Sequence, residues 1–231
     1  MLRAIHLLFN EGYWSGDDNA PIRADLCRLA IGLARSVAET YPNEAEASGL
    51  LALLLLHDAR REARLDDNGH PVPLPEQDRT RWDHTAITRA TALLERALGA
   101  ATPGPYQTEA AIAAVHARAR SAEATEWDEI ASLYALLESF RPTPGVRVNR
   151  AFALGKAKGP AEGLELLART DIDAAAYPYV HMVRGALLED AGDVEGAART
   201  LREALRCARN AHERVHIEKR ISQLPSPWGE R

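Results

Sequence analysis

The sequence predicts an all-α protein of about ten helices. Ala, Leu, Arg and Glu dominate the chain, whereas Val, Ile, Thr and the aromatic residues are sparse and never alternate with the period of two that strands require. With 231 residues, of which 46% are hydrophobic and 26% charged, the composition is that of a globular protein rather than a disordered one. The chain is long enough to bury the core of one large domain or of two small ones.

The first helices are delimited by glycine, proline and capping residues. The first helix stops near Gly12, and a polar loop leads to Pro21, which suits the first turn of a second helix that ends near Thr40. Apolar residues recur at helical spacing along this second helix, and we expect them to form its buried face: Leu26, Leu29, Ala30, Leu33 and Val37. Asn43 is expected to cap the third helix.

The third helix contains the most apolar stretch of the chain. Residues 50–56 read LLALLLL, which is far shorter than the roughly 20 residues that a membrane span requires. We therefore expect a buried core helix and no membrane partner. Asp83 is expected to cap the fourth helix, and Pro105 to open the fifth.

The C-terminal part of the sequence contains a helical repeat. The RPTPG motif at residues 141–145 is the clearest hinge, and it predicts a helical N-terminal half, residues 1–141, followed by a second half, residues 142–231. An offset of 34 residues in the second half pairs Ala151 with Gly185, Leu154 with Leu188, Gly163 with Ala197 and Leu167 with Leu201. This spacing is typical of tetratricopeptide units, in which small residues let antiparallel helices pack closely.

A polar segment at residues 57–84 interrupts the helical pattern and has the most distinctive chemistry in the chain. It contains seven acidic residues, namely Asp58, Glu62, Asp66, Asp67, Glu76, Asp78 and Asp83. It also contains five arginines, namely Arg60, Arg61, Arg64, Arg79 and Arg81. This nearly balanced set of charges beside a leucine-rich helix predicts carboxylate–guanidinium ion pairs.

Weak metal-binding patterns occur in the sequence, but we predict no catalytic residue, no metal and no cofactor. His212, Glu213 and His216 form an H-E-x-x-H pattern on a predicted helix, yet no third zinc ligand follows at a suitable distance. His57 and Asp58 resemble a phosphohydrolase doublet, which by itself supplies too few ligands. The remaining acids of the polar segment are expected to pair with its arginines rather than with a cation. A protein that is not an enzyme is therefore expected.

The charge of the chain argues against direct binding of nucleic acid. The net charge is −5 and the pI about 5.9, so no overall positive field attracts phosphates. The arginines of the polar segment would be natural phosphate contacts, but the neighbouring acids cancel most of their field. Trp82, Tyr106 and Trp127 are expected to fill the core or anchor loops rather than stack on bases.

Five sequence blocks occur in a specific order along the chain: LLFNEGY at 7–13, LLALLLLHDARREAR at 50–64, EQDRTRWD at 76–83, GPYQTEAAIAAVHA at 104–117 and VNRAFAL at 148–154. Together they resemble the long C-terminal extension of one group of extracytoplasmic-function RNA polymerase sigma factors. The resemblance covers about residues 5–220, and Asn210, Glu213 and Arg214 match the Asn-x-x-Glu-Arg run with which such extensions close. It implies a tetratricopeptide-like fold and a role in controlling sigma activity.

The resemblance implies a non-catalytic regulatory module in the cytoplasm that acts in transcription initiation. Its partners would be sigma regions 2 and 4 of the parent protein, the RNA polymerase core, or both. DNA would be reached only through those sigma regions, which this sequence lacks, since it starts where region 4 would hand over to the extension. Cys27 and Cys207 lie in separate helical patterns without a disulfide framework, which is consistent with a reducing cytoplasm.

The polar segment and its neighbours form the predicted surface, which serves either as an interaction site or as a set of structural ion pairs. Its members are Asn10, Glu11, Asp58, Arg60, Arg61, Arg64, Gln77, Asp78, Arg79, Trp82, Asp83, Tyr106 and Gln107. These residues either hold the N-terminal half together or face the sigma domains. Two other functions remain open, a free-standing tetratricopeptide adaptor that binds a peptide and a small-molecule sensor with a pocket between the two halves.

Overall fold

The computed structural model describes residues 1–13, 22–67, 69–70, 72–100, 103–208 and 211–225. Over these residues the chain forms eleven α-helices, three short 3₁₀ turns and no β-strand, which confirms the predicted all-α class. None of the helices in these ranges is both long enough and apolar enough to span a membrane. The chain divides into two compact units, Met1–Glu126 (unit 1) and Trp127–Arg231 (unit 2).

The described part of unit 1 contains five helices packed around the third. They are α1 (Leu2–Tyr13), α2 (Ala24–Thr40), α3 (Ala45–Asp58), α4 (His84–Leu98) and α5 (Pro105–Arg118). Helix α3 packs against each of the other four. Its buried leucines lie on all sides of the helix: Leu50, Leu51, Leu53, Leu54 and Leu56. A helix that is apolar all round must be enclosed by its neighbours, so the predicted core helix is confirmed.

Local sequence signals correctly predict two helix starts in unit 1 and fail at a third. Asp83 accepts a hydrogen bond of 2.8 Å from the backbone nitrogen of Ala86 at the start of α4. Pro105 is the first residue of α5. The cap predicted at Asn43 is wrong, because α3 begins one residue later and its N-cap is Glu44, whose side chain makes no capping bond. The loop predicted after α1 lies outside the described residues, as do Pro21, Asn210 and the side chain of His212.

The buried face of α2 differs from the prediction. Ala30 is buried as expected, but Leu29 and Leu33 leave 53% and 43% of their surface exposed. Small residues dominate the face that packs inward, which consists of Cys27, Ala30, Ile31 and Ala34. Helix α1 approaches α2 so closely that a Cβ on Gly12 would lie 2.8 Å from the backbone nitrogen of Cys27. Small side chains permit this approach, and the two leucines consequently turn toward solvent.

Unit 2 is a series of helices in which each packs against the next. Its described helices are α6 (Trp127–Phe140), α7 (Pro144–Lys158), α8 (Pro160–Ala168), α9 (Tyr179–Asp190), α10 (Val194–Arg206) and α11 (Ala211–Gln223). Helix α7 also contacts α9, so the second helix pair lies against the first. Short connections between consecutive helices favour antiparallel packing, as in tetratricopeptide units.

Small residues bring the helices of each pair together at the positions that the repeat predicts. In the α7–α8 pair, a Cβ on Gly163 would lie 2.7 Å from the carbonyl oxygen of Ala151. In the α9–α10 pair, Gly185 occupies the position equivalent to Ala151 and packs against α10. Lys156 and Asp190, which are 34 residues apart, form an ion pair of 2.9 Å between α7 and α9. The predicted tetratricopeptide-like pairing is confirmed.

The segment 141–145 lies within unit 2, where residues 141–143 connect α6 to α7 and Pro144 and Gly145 form the start of α7. Helices α6 and α7 pack against each other. Glu138 of α6 forms ion pairs with Arg147 and Arg150 of α7, at 3.3 and 2.6 Å. Because these contacts join α6 to α7, the division between the compact units falls after Glu126, earlier than the predicted boundary at residue 141.

Candidate functional site

The polar segment connects the end of α3 to the start of α4 through three 3₁₀ turns, Arg61–Ala63, Leu74–Glu76 and Arg79–Arg81. The segment closes on itself, because the backbone nitrogen of Asp83 donates a hydrogen bond of 2.9 Å to the carbonyl oxygen of Ala59. This closure brings residues from both ends of the segment to the C-terminal end of α3. The side chains at the two ends of the segment are therefore placed around one helix end.

The predicted carboxylate–guanidinium pairing holds for only part of the segment. Arg61 lies 2.6 Å from Asp58 and 3.5 Å from Glu62. Arg60 and Arg79, by contrast, have no carboxylate oxygen within 4.0 Å among the described residues. For these two arginines the prediction is wrong, because their guanidinium groups contact aromatic rings, a histidine and backbone carbonyls instead.

Arg60 is nearly enclosed, with 9% of its surface exposed. Its Nη2 lies 2.9 Å from Nδ1 of His57 and 3.4 Å from the hydroxyl of Tyr13, and its guanidinium carbon lies 5.8 Å from the centre of the Trp82 ring. A guanidinium can only donate, so Nδ1 of His57 accepts and the histidine proton is on Nε2. Burial and the neighbouring cations Arg60 and Arg64 lower the pKa of His57 well below its usual value, which keeps the ring neutral.

Aromatic residues of α1 complete one side of this arrangement. The guanidinium carbon of Arg64 lies 3.5 Å from the centre of the Tyr13 ring, which is a cation–π contact. Tyr13 in turn stacks on the buried ring of Phe9, with 5.2 Å between the ring centres. These contacts attach the end of α1 to the segment that follows α3. Asn10 and Glu11, which were predicted to share the site, are exposed on α1.

Arg79 attaches the polar segment to the end of α5. Its Nη1 donates to the carbonyl oxygens of His116 and Ala119, at 2.8 and 2.9 Å. A helix leaves such carbonyls without partners at its C terminus, where its dipole also favours a cation. The same guanidinium lies 4.5 Å from the centre of the Trp82 ring. Burial, together with the cations Arg60 and Arg79, lowers the pKa of His116 to about 4.

The other polar residues of the segment stabilise its own backbone. Asp78 accepts hydrogen bonds from the backbone nitrogen and the hydroxyl of Thr80, at 2.9 and 2.7 Å. Gln77 donates through Nε2 to the carbonyl oxygen of Val72 at 3.0 Å, and Asp83 caps α4. In the described ranges, no three His, Cys, Asp or Glu side chains are grouped so that they could hold a metal ion. Asp78 and Asp83 therefore act as a turn-forming residue and a helix cap.

A carboxylate that sequence reasoning missed holds the opposite end of α5. Glu46 of α3 accepts hydrogen bonds of 3.0 Å from the backbone nitrogens of Tyr106 and Gln107. These nitrogens belong to the first turn of α5, where the helix dipole favours a negative charge. The two helices approach closely here, because a Cβ on Gly49 would lie 2.8 Å from the Gln107 nitrogen. No local signal links Glu46 to residues sixty positions later.

The structure brings together only some of the predicted site residues. We call the following group the arginine–aromatic cluster: Tyr13, His57, Arg60, Arg64, Arg79 and Trp82. Tyr106 and Gln107 lie instead beside Glu46, at the opposite end of α5 from the carbonyls that Arg79 binds. Tyr13 and His57 were not predicted as site residues. His57 precedes Arg60 by about one helical turn, and that spacing is the signal that could have identified it.

Unit 2 contains a separate cavity of about 340 Å³ beside α9, α10 and α11. Its lining is largely apolar and aromatic and includes Tyr177, Tyr179, Met182, Cys207 and Ile217. Glu213 and His216 of the H-E-x-x-H pattern also line it. Sequence reasoning did not predict this cavity, because its walls come from helices that are adjacent only in the folded unit.

The described residues form two helical units, and the arginine–aromatic cluster lies in unit 1. Residues 1–98 match the model of a family of unknown function, DUF6596. Every member of the arginine–aromatic cluster lies within this matched region.

A longer match extends over both units. Over 220 residues the chain is 42% identical to an uncharacterized protein of Rhizobium meliloti (strain 1021), R00370. The aligned stretch covers 95% of this chain and 52% of that protein, so the chain spans about half the length of the curated relative it matches. No solved structure matches the chain.

Proposed function

We propose that this chain is a non-catalytic regulatory module of an extracytoplasmic-function sigma factor. It controls sigma activity in transcription initiation through contacts with sigma regions 2 and 4 or with the RNA polymerase core. The five sequence blocks that support this proposal lie in both units, from α1 to α7. The Rhizobium meliloti relative is about twice as long as the stretch it shares with this chain, which leaves room in that protein for further domains.

The observation that carries the proposal is an exposed apolar face on α2. Leu29 and Leu33 lie one helical turn apart, and Gly32 is on the same side of the helix. A Cβ on Gly32 would meet no atom within 4 Å, so no described contact requires a glycine there. A glycine inside a helix costs about 1 kcal/mol relative to alanine. A second helix packed on this face would use Gly32 for close approach and the leucines for contact.

We assign this face to a helix of the sigma domains. Arg28 and Arg35 are exposed and flank the face on one side, and the exposed Glu39 follows Arg35 by one turn on that side, so the partner helix is expected to present acidic residues opposite the two arginines only. Burying the exposed parts of two leucines contributes on the order of 2 kcal/mol. A contribution of this size favours a reversible contact, which suits a module that regulates rather than permanently anchors its partner.

The proposal is tested by calorimetric titration of the full chain against a protein containing sigma regions 2 and 4, and against the polymerase core, at low salt. We expect binding to one of them that weakens about tenfold in the double variant Leu29→Gln, Leu33→Gln, since a tenfold change corresponds to about 1.4 kcal/mol. Leu98→Gln is the matched control, because Leu98 is an equally exposed leucine on α4. Absence of binding to both partners overturns the proposal, and an equal loss with Leu98→Gln overturns the assignment of the face.

A second candidate function is small-molecule sensing by unit 2. The cavity beside α9 to α11 favours it, because about 340 Å³ is within the size range of ligand pockets and its lining is mostly apolar. A thermal-shift screen with small aromatic compounds tests this function. Stabilisation that disappears in Met182→Gln but persists in Leu136→Gln, an exposed position on α6, would support it.

A further inference from the structure

The arginine–aromatic cluster contains a buried cation without a counter-ion among the described residues. Arg60 is nine-tenths buried, and its hydrogen-bond partners are the uncharged groups of His57 and Tyr13. Asp58, the nearest acid in sequence, is paired with Arg61. Removing a guanidinium from water costs several kcal/mol unless a negative charge compensates for it. A bound anion near Arg60 would supply this compensation.

The cluster also contains a buried donor without an acceptor. Trp82 is 4% exposed, and its indole Nε1–H has no hydrogen-bond partner in the described structure. Buried indole nitrogens normally find an acceptor, so an unmade bond of this kind calls for an explanation. The rings and guanidinium groups are close together, since Arg60 and Arg79 both lie within 6 Å of the centre of the Trp82 ring.

Two histidines lie near the arginines of the cluster. Burial is the largest cause of the lowered pKa at both His57 and His116, and arginines of the cluster add to it in each case. Arg60 contributes at both positions, with Arg64 at His57 and Arg79 at His116. The charge of Arg60 thus acts on both histidines, whereas Glu123 opposes the charge of Arg79.

We propose that the cluster binds the carboxylate group of a small organic acid, with the guanidinium of Arg60 and the indole N–H of Trp82 as its principal donors. A carboxylate has two oxygens in one plane, which match the donor geometry of a guanidinium, and one negative charge, which balances one uncompensated cation. Arg79 is already engaged with the carbonyls of α5, and Arg64 stacks on Tyr13. The burial of Arg60 and Trp82 favours a small ligand over a protein surface.

This site goes beyond the proposed function, because it does not include the apolar face of α2 and makes no assumption about sigma domains. Its test can therefore fail while the regulatory proposal stands, and the reverse also holds. The direct readout is the indole ¹H–¹⁵N resonance of Trp82 in the full chain, assigned by its loss in Trp82→Phe. Sodium acetate is the probe, and sodium chloride at the same concentration is the control for ionic strength.

We expect acetate to shift the Trp82 resonance with a saturable, millimolar dependence, and chloride to leave it nearly unchanged. Arg60→Gln should weaken acetate binding at least tenfold, and Arg60→Lys, which keeps the charge but loses the planar fork, should weaken it less. Arg81→Gln is the matched control, because Arg81 is an exposed arginine of the same segment, and it should bind acetate like the unmodified chain.

Three results would overturn the assignment. An equal shift with chloride would show that the shift is caused by ionic strength. Unchanged acetate affinity in a folded Arg60→Gln variant would show that Arg60 does not bind acetate. If inorganic phosphate binds ten times more tightly than acetate, the ligand group is a phosphate and not a carboxylate. If Arg60→Gln does not fold, as judged by circular dichroism, the comparison of acetate with chloride on the unmodified chain still decides whether the cluster binds a carboxylate.

Discussion

The two units are held together in different ways. In unit 1, polar side chains from distant parts of the chain secure both ends of α5, with Glu46 at its N terminus and Arg79 at its C terminus. In unit 2, consecutive helices pack through small residues such as Gly163 and Gly185. The difference is one of degree, because unit 1 also encloses the apolar helix α3 and unit 2 also contains the ion pairs of Glu138 and Lys156. Unit 1 should be the more sensitive to charge and pH, and unit 2 to side-chain size.

The largest expected effect is the loss of the carboxylate at the start of α5. Glu46→Ala should lower the free energy of unfolding of unit 1 by about 3 kcal/mol, because it leaves the nitrogens of Tyr106 and Gln107 without an acceptor and removes a charge from a helix N terminus. Urea denaturation and amide hydrogen exchange at the start of α5 measure this change. Glu44→Ala is the control, since its side chain makes no capping bond, and should change stability by about 0.5 kcal/mol at most. Equal effects of the two variants would contradict the role of Glu46.

The second largest expected effect is a loss of stability of unit 1 at acidic pH. The unfolded chain protonates His116 near its ordinary pKa of 6.5, whereas the folded chain does so only near a pKa of about 4. Between these two pKa values the folded state binds fewer protons than the unfolded chain, so the folded state loses stability as the pH falls. Lowering the pH from 7 to 5 should cost unit 1 about 2 kcal/mol from His116, and His57, whose pKa is also lowered, acts in the same direction.

Chemical denaturation at several pH values measures this dependence. His116→Gln should make it shallower, and the part that comes from His57 should remain. A slope as steep in His116→Gln as in the unmodified chain would show that His116 does not contribute to the pH sensitivity of unit 1.

A smaller effect, located in unit 2, is expected from Gly163→Ala. The added methyl group would lie 2.7 Å from the carbonyl oxygen of Ala151, so α7 and α8 must move apart. We expect unit 2 to lose about 2 kcal/mol of stability, in the range typical of overpacked helix contacts. Hydrogen exchange should show reduced protection of the amides in α7 and α8 and unchanged protection in α3 to α5. Loss of protection in both units would mean that their stabilities are not separable.

The smallest change concerns Gly32, where there is open space. Gly32→Ala should raise the free energy of unfolding by about 1 kcal/mol, because alanine favours the helix and meets no neighbouring atom. The same substitution should weaken binding to sigma domains, because it blocks close approach of a partner helix. Thermal denaturation and calorimetric titration measure the two effects. A variant that is stabilised and binds unchanged would remove Gly32 from the proposed interface.

Sequence patterns predicted much of the fold but only part of the site. Helix starts at Asp83 and Pro105 follow from side-chain capping and from the fixed geometry of proline, which act within a single turn. Small residues spaced 34 positions apart predicted the helix pairs of unit 2, because neighbouring repeats make the same contacts. The ion pairs predicted for Arg60 and Arg79 were wrong, because counting charges along a segment does not reveal which aromatic rings and carbonyls surround each guanidinium.

The sequence by itself determined the helical class, the central position of α3 and the pairing of helices in unit 2, because composition and short-range periodicity govern these properties. The tertiary structure alone decided the hydrogen-bond partners of Arg60, Arg79 and Glu46, because these partners lie 37 to 61 residues away along the chain, apart from His57. It also decided which side of α2 is buried. That choice depends on how closely α1 approaches, and it leaves two leucines exposed where the pattern had predicted core.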